Sequence, residues 1–191
     1  MFAASLIIAY LLGSLSTAII LAKLLKLDDP RDTGSGNPGA TNMLRSAGKK
    51  IAALVLAGDM LKGLLSVWIA IVLGNHGFAL ACVALAAVVG HIFPLFFHFK
   101  GGKGVATAFG VILGLSGGAA LIGAMTWGLC LFFTKYSSLS ALIATGAIVL
   151  FSFAATPQYA LPVLAIAVLI VWRHKGNIER LKQGKESKVN F

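Results

Sequence analysis

Charged residues are scarce in this sequence. They make up 12% of the 191 residues, whereas 58% of the residues are hydrophobic. Soluble domains average about a quarter charged and about half apolar residues, so this chain has too few polar groups to cover a surface that faces water. The composition excludes an ordinary soluble enzyme and predicts a protein embedded in lipid. The length suits a single membrane domain over residues 1–191.

Cysteine and acidic residues are also rare. Cys82 and Cys130 both lie in apolar stretches without a cysteine or histidine at metal-ligand spacing, so we expect neither a disulfide nor a metal site. No cofactor is expected. The 6 acidic residues are outnumbered by 16 Lys and Arg, giving a net charge of +10. In a soluble protein this charge would suggest nucleic acid, but the placement of the basic residues indicates membrane topology instead.

Long apolar stretches cover roughly residues 2–25, 51–73, 78–97, 104–134 and 138–172. A membrane helix needs about 20 residues, so each of the first three stretches predicts one span. The fifth stretch is broken at 156–158 by Thr-Pro-Gln and divides into two helices. The fourth contains Gly117-Gly118 near its middle, where a turn is easy.

Three connections carry no lysine or arginine, namely those near 75–77, 117–118 and 156–158. Basic residues instead cluster in or beside the loops 26–50, 98–103 and 135–137 and the tail 173–191. The positive-inside rule places all of these in the cytoplasm, which requires residues 104–134 to form a hairpin. We therefore predict an all-α polytopic membrane protein with seven transmembrane helices, its N-terminus outside and its C-terminus cytoplasmic. The helices are expected at roughly 2–25, 51–73, 78–97, 104–116, 119–134, 138–155 and 158–172.

The first of these loops is rich in glycine and reads TGSGNPGATN over residues 33–42. Three glycines within six residues allow successive backbone N–H groups to turn inward and form an anion-binding nest. Ser35, Thr41 and Asn42 add side-chain donors, and Arg45 adds a guanidinium that suits phosphate. The alternative is an ordinary cytoplasmic turn.

The second glycine-rich loop reads KGGKGVAT over residues 100–107. It is not a nucleotide P-loop, because position 97 is Phe where that motif needs Gly, and position 104 is Gly where it needs Ser or Thr. A glycine turn that leads into a helix and carries Lys103 is still a good phosphate site. The alternative is a basic turn at the membrane border.

Other candidate residues lie in the tail and inside the spans. His174 and Asn177 are three residues apart, so one helical face can present both, although the basic tail could simply bind lipid head groups. Asp59 and Lys62 are charged residues within a predicted span; they are functional candidates or a mutually neutralising structural pair. His91 fits a packed histidine beside a kink.

Three segments, taken in order, resemble the PlsY family, the bacterial acylphosphate:glycerol-3-phosphate acyltransferases. They are SGNPGATN at 35–42, GGKGVAT at 101–107, and H-x-x-N-I-x-R-L-x-x-G-x-E at 174–186. The turn KYSSL at 135–139 is also similar to the family. The resemblance spans nearly the whole chain. It implies an enzyme of the bacterial inner membrane, with a cytoplasmic active site, that carries out the first step of phospholipid synthesis.

The implied reaction moves a fatty acyl group from acyl phosphate to the 1-hydroxyl of glycerol 3-phosphate, giving lysophosphatidic acid and inorganic phosphate. The resemblance implies the catalytic residues Ser35, Arg45, Lys103 and His174. It implies as substrate-binding residues Gly36, Asn37, Gly39, Thr41, Asn42, Gly101, Gly102, Gly104, Ser138 and Asn177. The hydroxyl proton could pass to His174 or to a phosphate oxygen of the donor, and the sequence leaves both routes open. Besides the two substrates, we expect membrane lipid as a partner, no nucleic acid, and a monomer.

Within this resemblance, residues 35–42 would hold the acyl-phosphate head and polarise its carbonyl, and residues 101–104 would complete the phosphate site. Arg45, Lys103, His174 and Asn177 would bind glycerol 3-phosphate. Two other functions fit the composition. A small-anion transporter is disfavoured because the sequence shows no inverted repeat. A lipid-binding scaffold gives no reason for two glycine-rich loops on one membrane face.

Overall fold

The computed structural model describes residues 1–189, and within that part of the chain every regular element is helical. A short 3₁₀ turn, Leu95–Phe97, follows the fifth α-helix. The α-helices are α1 Phe2–Gly13, α2 Thr17–Leu24, α3 Ala40–Ser46, α4 Gly48–Val72, α5 Gly77–Ile92, α6 Val105–Leu115, α7 Gly117–Thr134, α8 Ser137–Ala155, α9 Pro157–Arg173 and α10 Lys175–Lys182.

Four segments in the described part are long and apolar enough to cross a membrane: α4, Gly77–Phe97, α7 and α8. The count rises to six if the pairs α1–α2 and α9–α10, bent by 44° and 57°, are each one span. Helix α6 is apolar but has only 11 residues. Large apolar side chains such as Phe133 and Leu150 are about three-quarters exposed, at 77% and 74%, which suits contact with lipid rather than with water.

The first apolar stretch differs from the single helix expected over 2–25, because the chain bends between α1 and α2. Two serines in the apolar run supply the hydrogen bonds that a break requires. The Ser14 hydroxyl donates to the Tyr10 carbonyl at 2.8 Å, and Ser16 caps α2 by accepting from the Ile19 amide at 3.5 Å. The Leu15 carbonyl accepts a hydrogen bond from the Lys62 ammonium at 2.6 Å, so the broken backbone is satisfied inside the protein.

Two segments expected as loop or tail contain helices. Helix α3 lies within the loop expected over 26–50, and α10 lies within the tail expected from residue 173. Between α6 and α7 only Ser116 interrupts the helical residues, and its hydroxyl accepts from the Ala119 amide at the start of α7. These short helices present polar residues at the ends of the long apolar ones.

Small residues allow the long helices to touch through their backbones. A Cβ at Gly110 of α6 would overlap the Met60 carbonyl of α4, and a Cβ at Gly90 of α5 would overlap the Tyr10 carbonyl of α1. Close approach of this kind is typical of helix packing in membranes. It brings the segments that connect α2 to α3 and α5 to α6 to one end of the bundle.

Candidate active site

One cavity of about 840 Å³ joins the two glycine-rich loops to the start of α8 and to the C-terminal segment. Most of the residues predicted from the sequence line it. They are Ser35, Asn37, Gly39, Thr41, Asn42, Arg45, Lys103, Gly104, Ser138, His174 and Asn177. Segments far apart in the sequence therefore form one site.

Three of the predicted glycines do not line this cavity. Gly36 and Gly101 border a separate, smaller cleft beside Arg31 and Lys100. Gly102 packs against the ring of His91, where an added Cβ would overlap Nε2. None of these three glycines lies on the cavity wall, so each contributes to the backbone conformation of its loop and not to the surface that faces a ligand.

Asn42 holds the first glycine-rich loop in its conformation. Its Oδ1 accepts from the Ser35 amide at 2.9 Å. Its Nδ2 donates to the carbonyls of Pro30 at 2.9 Å and Thr33 at 3.0 Å. The loop passes through left-handed backbone at Gly34 (φ 59°), where a Cβ would overlap the Asn42 side chain. Because both of its amide protons are used inside the loop, Asn42 stabilises the wall of the cavity.

The second glycine-rich loop is clamped by its neighbours on two sides. The Gly102 amide donates to the His91 carbonyl at 3.2 Å. The Arg173 guanidinium donates to the carbonyls of Gly101 at 3.0 Å and Gly102 at 3.2 Å. This arrangement presents Lys103 to the cavity, where its ammonium donates to Asn177 Oδ1 at 2.5 Å.

The electrostatics of Lys103 suit an anionic ligand near neutral pH. Burial lowers the pKa of Lys103 to about 8, with Arg180, Arg173 and Arg45 lowering it further and Glu186 opposing them. The side chain is therefore mostly protonated at pH 7. A partly buried ammonium beside other cations favours binding of a phosphate, which would relieve their repulsion.

His174 lies in the break between α9 and α10 and is buried. Its Nδ1 lies 2.8 Å from the Ile170 carbonyl, and because a carbonyl only accepts, Nδ1 carries the proton. The Nε2 of the neutral ring is then an acceptor. Burial lowers the pKa of His174 to about 4, assisted by the charges of Lys103 and Arg173. The ring is neutral at physiological pH and is a weak base.

The structure adds residues that the sequence analysis did not assign. The Glu186 carboxylate accepts from Ser138 at 2.7 Å, Asn177 at 2.6 Å and Arg180 at 2.7 Å. Burial raises the pKa of the Glu186 carboxyl, but these hydrogen bonds outweigh burial and hold it below its usual range. The spacing of Arg180, three residues after Asn177, was the available signal that both share one helical face.

The C-terminal segment folds back along the cavity. The Arg45 guanidinium donates to the Ser187 carbonyl at 3.1 Å, and the Val189 amide donates to the Lys135 carbonyl at 2.8 Å. Thr41 and Ser137 also share a hydrogen bond at 3.1 Å. Helix α3, the start of α8 and the C-terminal segment are thus joined around the polar wall.

Most of the remaining cavity wall is apolar, although Asp59, His91 and Thr145 also line it. The apolar part is formed by side chains that include Phe109, Ile112, Trp127, Ile148, Val149, Ile166 and Ile170. A ligand with a charged head and a hydrocarbon chain matches such a cavity. Among residues 1–189, no group of three or more His, Cys, Asp or Glu side chains is placed to hold a metal ion.

Comparison with known proteins identifies the family to which this chain is similar. The sequence model of the glycerol-3-phosphate acyltransferase family matches residues 3–184. A glycerol-3-phosphate acyltransferase of Coxiella burnetii (strain CbuG_Q212) is 53% identical over 191 residues, covering 100% of this chain and 99% of that protein. One from Francisella tularensis subsp. holarctica (strain OSU18) is 54% identical over 186 residues, covering 96% and 91% of the two chains.

Two crystal structures of PlsY (YgiH), an integral membrane glycerol 3-phosphate acyltransferase, have the same fold. The glycerol 3-phosphate form superposes with a TM-score of 0.94 at 40% identity, covering 99% of this chain and 96% of that one. The lysophosphatidic acid form gives 0.92 at 40% identity, covering 99% and 95%. This chain therefore belongs to the PlsY family of integral membrane acyltransferases that act on glycerol 3-phosphate.

Proposed function

We propose that this protein transfers a fatty acyl group from acyl phosphate to the 1-hydroxyl of glycerol 3-phosphate, releasing lysophosphatidic acid and inorganic phosphate. One observation carries the proposal: a single cavity has Arg45, Lys103, His174 and Asn177 on its polar wall and a long apolar wall beside them. The donor needs both walls, because it has a phosphate head and a hydrocarbon chain. The acceptor needs only the polar wall.

The chemistry requires no covalent enzyme intermediate, because an acyl phosphate is already an activated mixed anhydride. The acceptor hydroxyl oxygen attacks the acyl carbonyl carbon, and the bond from that carbon to the phosphate oxygen breaks. Ser35 and the loop 35–42 polarise the carbonyl, and Lys103 with Arg45 neutralises phosphate charge. Positioning and charge neutralisation supply the rate.

The hydroxyl proton goes to a phosphate oxygen of the leaving group in this proposal. His174 has a pKa of about 4, so it binds a proton less readily than a phosphate monoester, whose second pKa is about 6. The unprotonated Nε2 of His174 instead accepts a hydrogen bond from the acceptor hydroxyl and directs its oxygen toward the carbonyl.

We further propose seven membrane spans in a bacterial inner membrane, with the active site and C-terminus in the cytoplasm. The bent pair α1–α2, helix α9 and the short helix α6 complete the count, and α10 lies on the cytoplasmic side. The absence of Lys and Arg near 75–77, 117–118 and 156–158 supports this orientation. Helix α6, which is about 16 Å long, would cross where the bilayer thins or would cross incompletely.

The deciding experiment uses purified protein with glycerol 3-phosphate and, in parallel reactions, acyl phosphate, acyl-CoA or acyl-carrier protein. We expect inorganic phosphate and lysophosphatidic acid to form only in the reaction whose acyl donor is acyl phosphate. Product from acyl-CoA or acyl-carrier protein at a comparable rate would show that the proposed donor is wrong. The folded protein releasing no phosphate would contradict the reaction itself.

A further inference from the structure

Behind the second glycine-rich loop lies a group of buried polar side chains that the reaction does not use directly. It consists of Asp59 and Lys62 of α4, His91 of α5 and Thr107 of α6, and we name these four residues the polar cluster. All four are buried. Buried charges in a membrane protein are expensive unless they are paired, so this group requires an explanation.

Three acceptor atoms lie within hydrogen-bond distance of the Lys62 ammonium. Its Nζ lies 2.6 Å from the Leu15 carbonyl, 2.9 Å from Asp59 Oδ1 and 3.0 Å from His91 Nδ1. An ammonium group has three donors, and these partners match them. A pair that served only to neutralise charge would not need the third contact, to the histidine ring.

Asp59 connects the same ammonium to α2. Its Oδ1 accepts from the Thr17 hydroxyl at 3.0 Å, in addition to the ion pair with Lys62. The carboxylate is therefore fixed from two directions. Together these contacts hold the Lys62 ammonium at one point between α2, α4 and α5, so its position relative to His91 is determined by three elements.

The ring of His91 connects the Lys62 ammonium to the second glycine-rich loop. Because Nδ1 accepts from Lys62, a neutral ring has its proton on Nε2. Nε2 faces Gly102, where a Cβ would overlap it, and the His91 carbonyl accepts from the Gly102 amide at 3.2 Å. Thr107, in the first turn of α6, also lies 3.1 Å from Nδ1 through its hydroxyl. One histidine thus contacts the loop and the helix that follows it.

We propose that Asp59, Lys62 and His91 are positioning residues for the phosphate site. They fix the His91 ring against Gly102, so the loop 101–104 holds Lys103 where its ammonium reaches Asn177 and the phosphate of glycerol 3-phosphate. This inference rests on the proposed function for the identity of the ligand. It makes the intramembrane charges part of substrate binding, with Asp59 and His91 also lining the inner part of the cavity.

The test compares four variants of the polar cluster and one control variant with wild-type protein. Lys62→Met removes the ammonium but leaves Asp59 charged, which can prevent folding because an unpaired buried charge is strongly destabilising. In the double variant Asp59→Asn/Lys62→Met neither replaced side chain is charged. This variant is used for the measurements if Lys62→Met does not fold. His91→Leu removes both ring nitrogens, and His91→Asn retains an acceptor near the position of Nδ1. Ser66→Ala is the control, because the buried Ser66 hydroxyl donates to the Lys62 carbonyl of its own helix at 2.7 Å and has no hydrogen bond to another helix within residues 1–189.

Steady-state kinetics give the first measurement, with KM for glycerol 3-phosphate determined separately from KM for acyl phosphate. We expect the double variant and His91→Leu to raise KM for glycerol 3-phosphate about 10-fold or more, since small displacements of positioning groups have effects of this size. KM for acyl phosphate should change less, His91→Asn should recover part of the loss, and Ser66→Ala should resemble wild type. A double variant with wild-type kinetics would overturn the proposal. The Asp59–Lys62 pair would then serve only to neutralise charge.

Amide hydrogen exchange over residues 101–107 gives a second measurement that needs no turnover. Faster exchange there in the double variant, with no change in Ser66→Ala, is the expected result. Unchanged exchange would refute the positioning role even if the enzyme were less active. If wild-type protein released no phosphate from acyl phosphate, the proposed reaction would fail, but the exchange experiment would still decide whether the polar cluster orders the loop.

Discussion

The ammonium of Lys103 and the amide oxygen of Asn177, 74 residues apart in the chain, are joined by a hydrogen bond of 2.5 Å. This contact connects the loop between α5 and α6 to α10. The side-chain amide nitrogen of Asn177, Nδ2, donates to Glu186 Oε1 at 2.6 Å. Lys103, Asn177 and Glu186 are therefore linked in one hydrogen-bond network on the polar wall, to which the second glycine-rich loop contributes Lys103.

Replacing Lys103 with methionine should weaken use of glycerol 3-phosphate. A hydrogen bond to a charged group contributes about 1.5–3 kcal/mol, so we expect kcat/KM to fall by about 10- to 100-fold or more. Lys100→Met is a matched control, since Lys100 lies in the same loop but borders the smaller cleft beside Arg31 instead of the cavity. An equal loss in both variants would show that general positive charge, and not the Lys103 contact, matters.

The pH dependence of the reaction should report Lys103 as well. Its pKa of about 8 in the free protein means that the ammonium is present below this pH and is lost as the pH rises through it. We therefore expect kcat/KM for glycerol 3-phosphate to decline above about pH 8, approaching tenfold per pH unit. Lys103→Arg should remove this decline, because guanidinium stays protonated. A decline that persists in the arginine variant would assign it to another group.

His174 should remain neutral throughout the working range of pH. Burial and the neighbouring cations keep its pKa at about 4, so no protonation is expected near the usual histidine value of about 6.5. Nitrogen NMR of histidine-labelled protein should show a ring protonated on Nδ1 between pH 5 and 8, assigned by its loss in His174→Gln. Titration near pH 6.5 would contradict both the burial argument and the proposed proton route.

Asn42 should be needed for the stability of the first glycine-rich loop. Asn42→Ala removes three hydrogen bonds, which contribute about 1 kcal/mol each, so we expect the protein to lose about 2–3 kcal/mol of stability together with most of its activity. Thermal unfolding in detergent and the phosphate-release assay measure the two effects. Ser46→Ala in the same short helix also removes a hydrogen bond, at 3.2 Å to the Asn42 carbonyl, but should be nearly neutral because Ser46 is exposed.

The proposed topology can be tested by cysteine labelling. In a background with Cys82→Ala and Cys130→Ala, Ser116→Cys should react with a membrane-impermeant reagent added from outside, because we place the break between α6 and α7 on that face. Ser187→Cys should react only after the cells are opened, because we place the C-terminal segment in the cytoplasm. Labelling of both positions from the same side would refute the seven-span arrangement.

Much of the site could be read from local features of the sequence. Glycine spacing, Arg45 and Lys103 indicate anion binding because backbone freedom and charge are properties of the residues themselves. The resemblance of three ordered motifs indicated the family, which is confirmed. The motifs could not distinguish the glycines that line the cavity from Gly36 and Gly101, which border the smaller cleft. That distinction depends on which side of a folded loop faces the ligand.

The sequence by itself determined that this chain is an integral membrane protein, and it predicted phosphate-binding loops at one end, because hydropathy, charge placement and glycine spacing act locally. Only the tertiary structure decided that α1 and α2 separate at the serines, with Lys62 satisfying the Leu15 carbonyl. It also decided that Glu186 meets Asn177 and that Asp59, Lys62 and His91 meet behind Gly102. Such contacts join residues distant in the chain, and they follow from how the helices pack instead of from any local pattern.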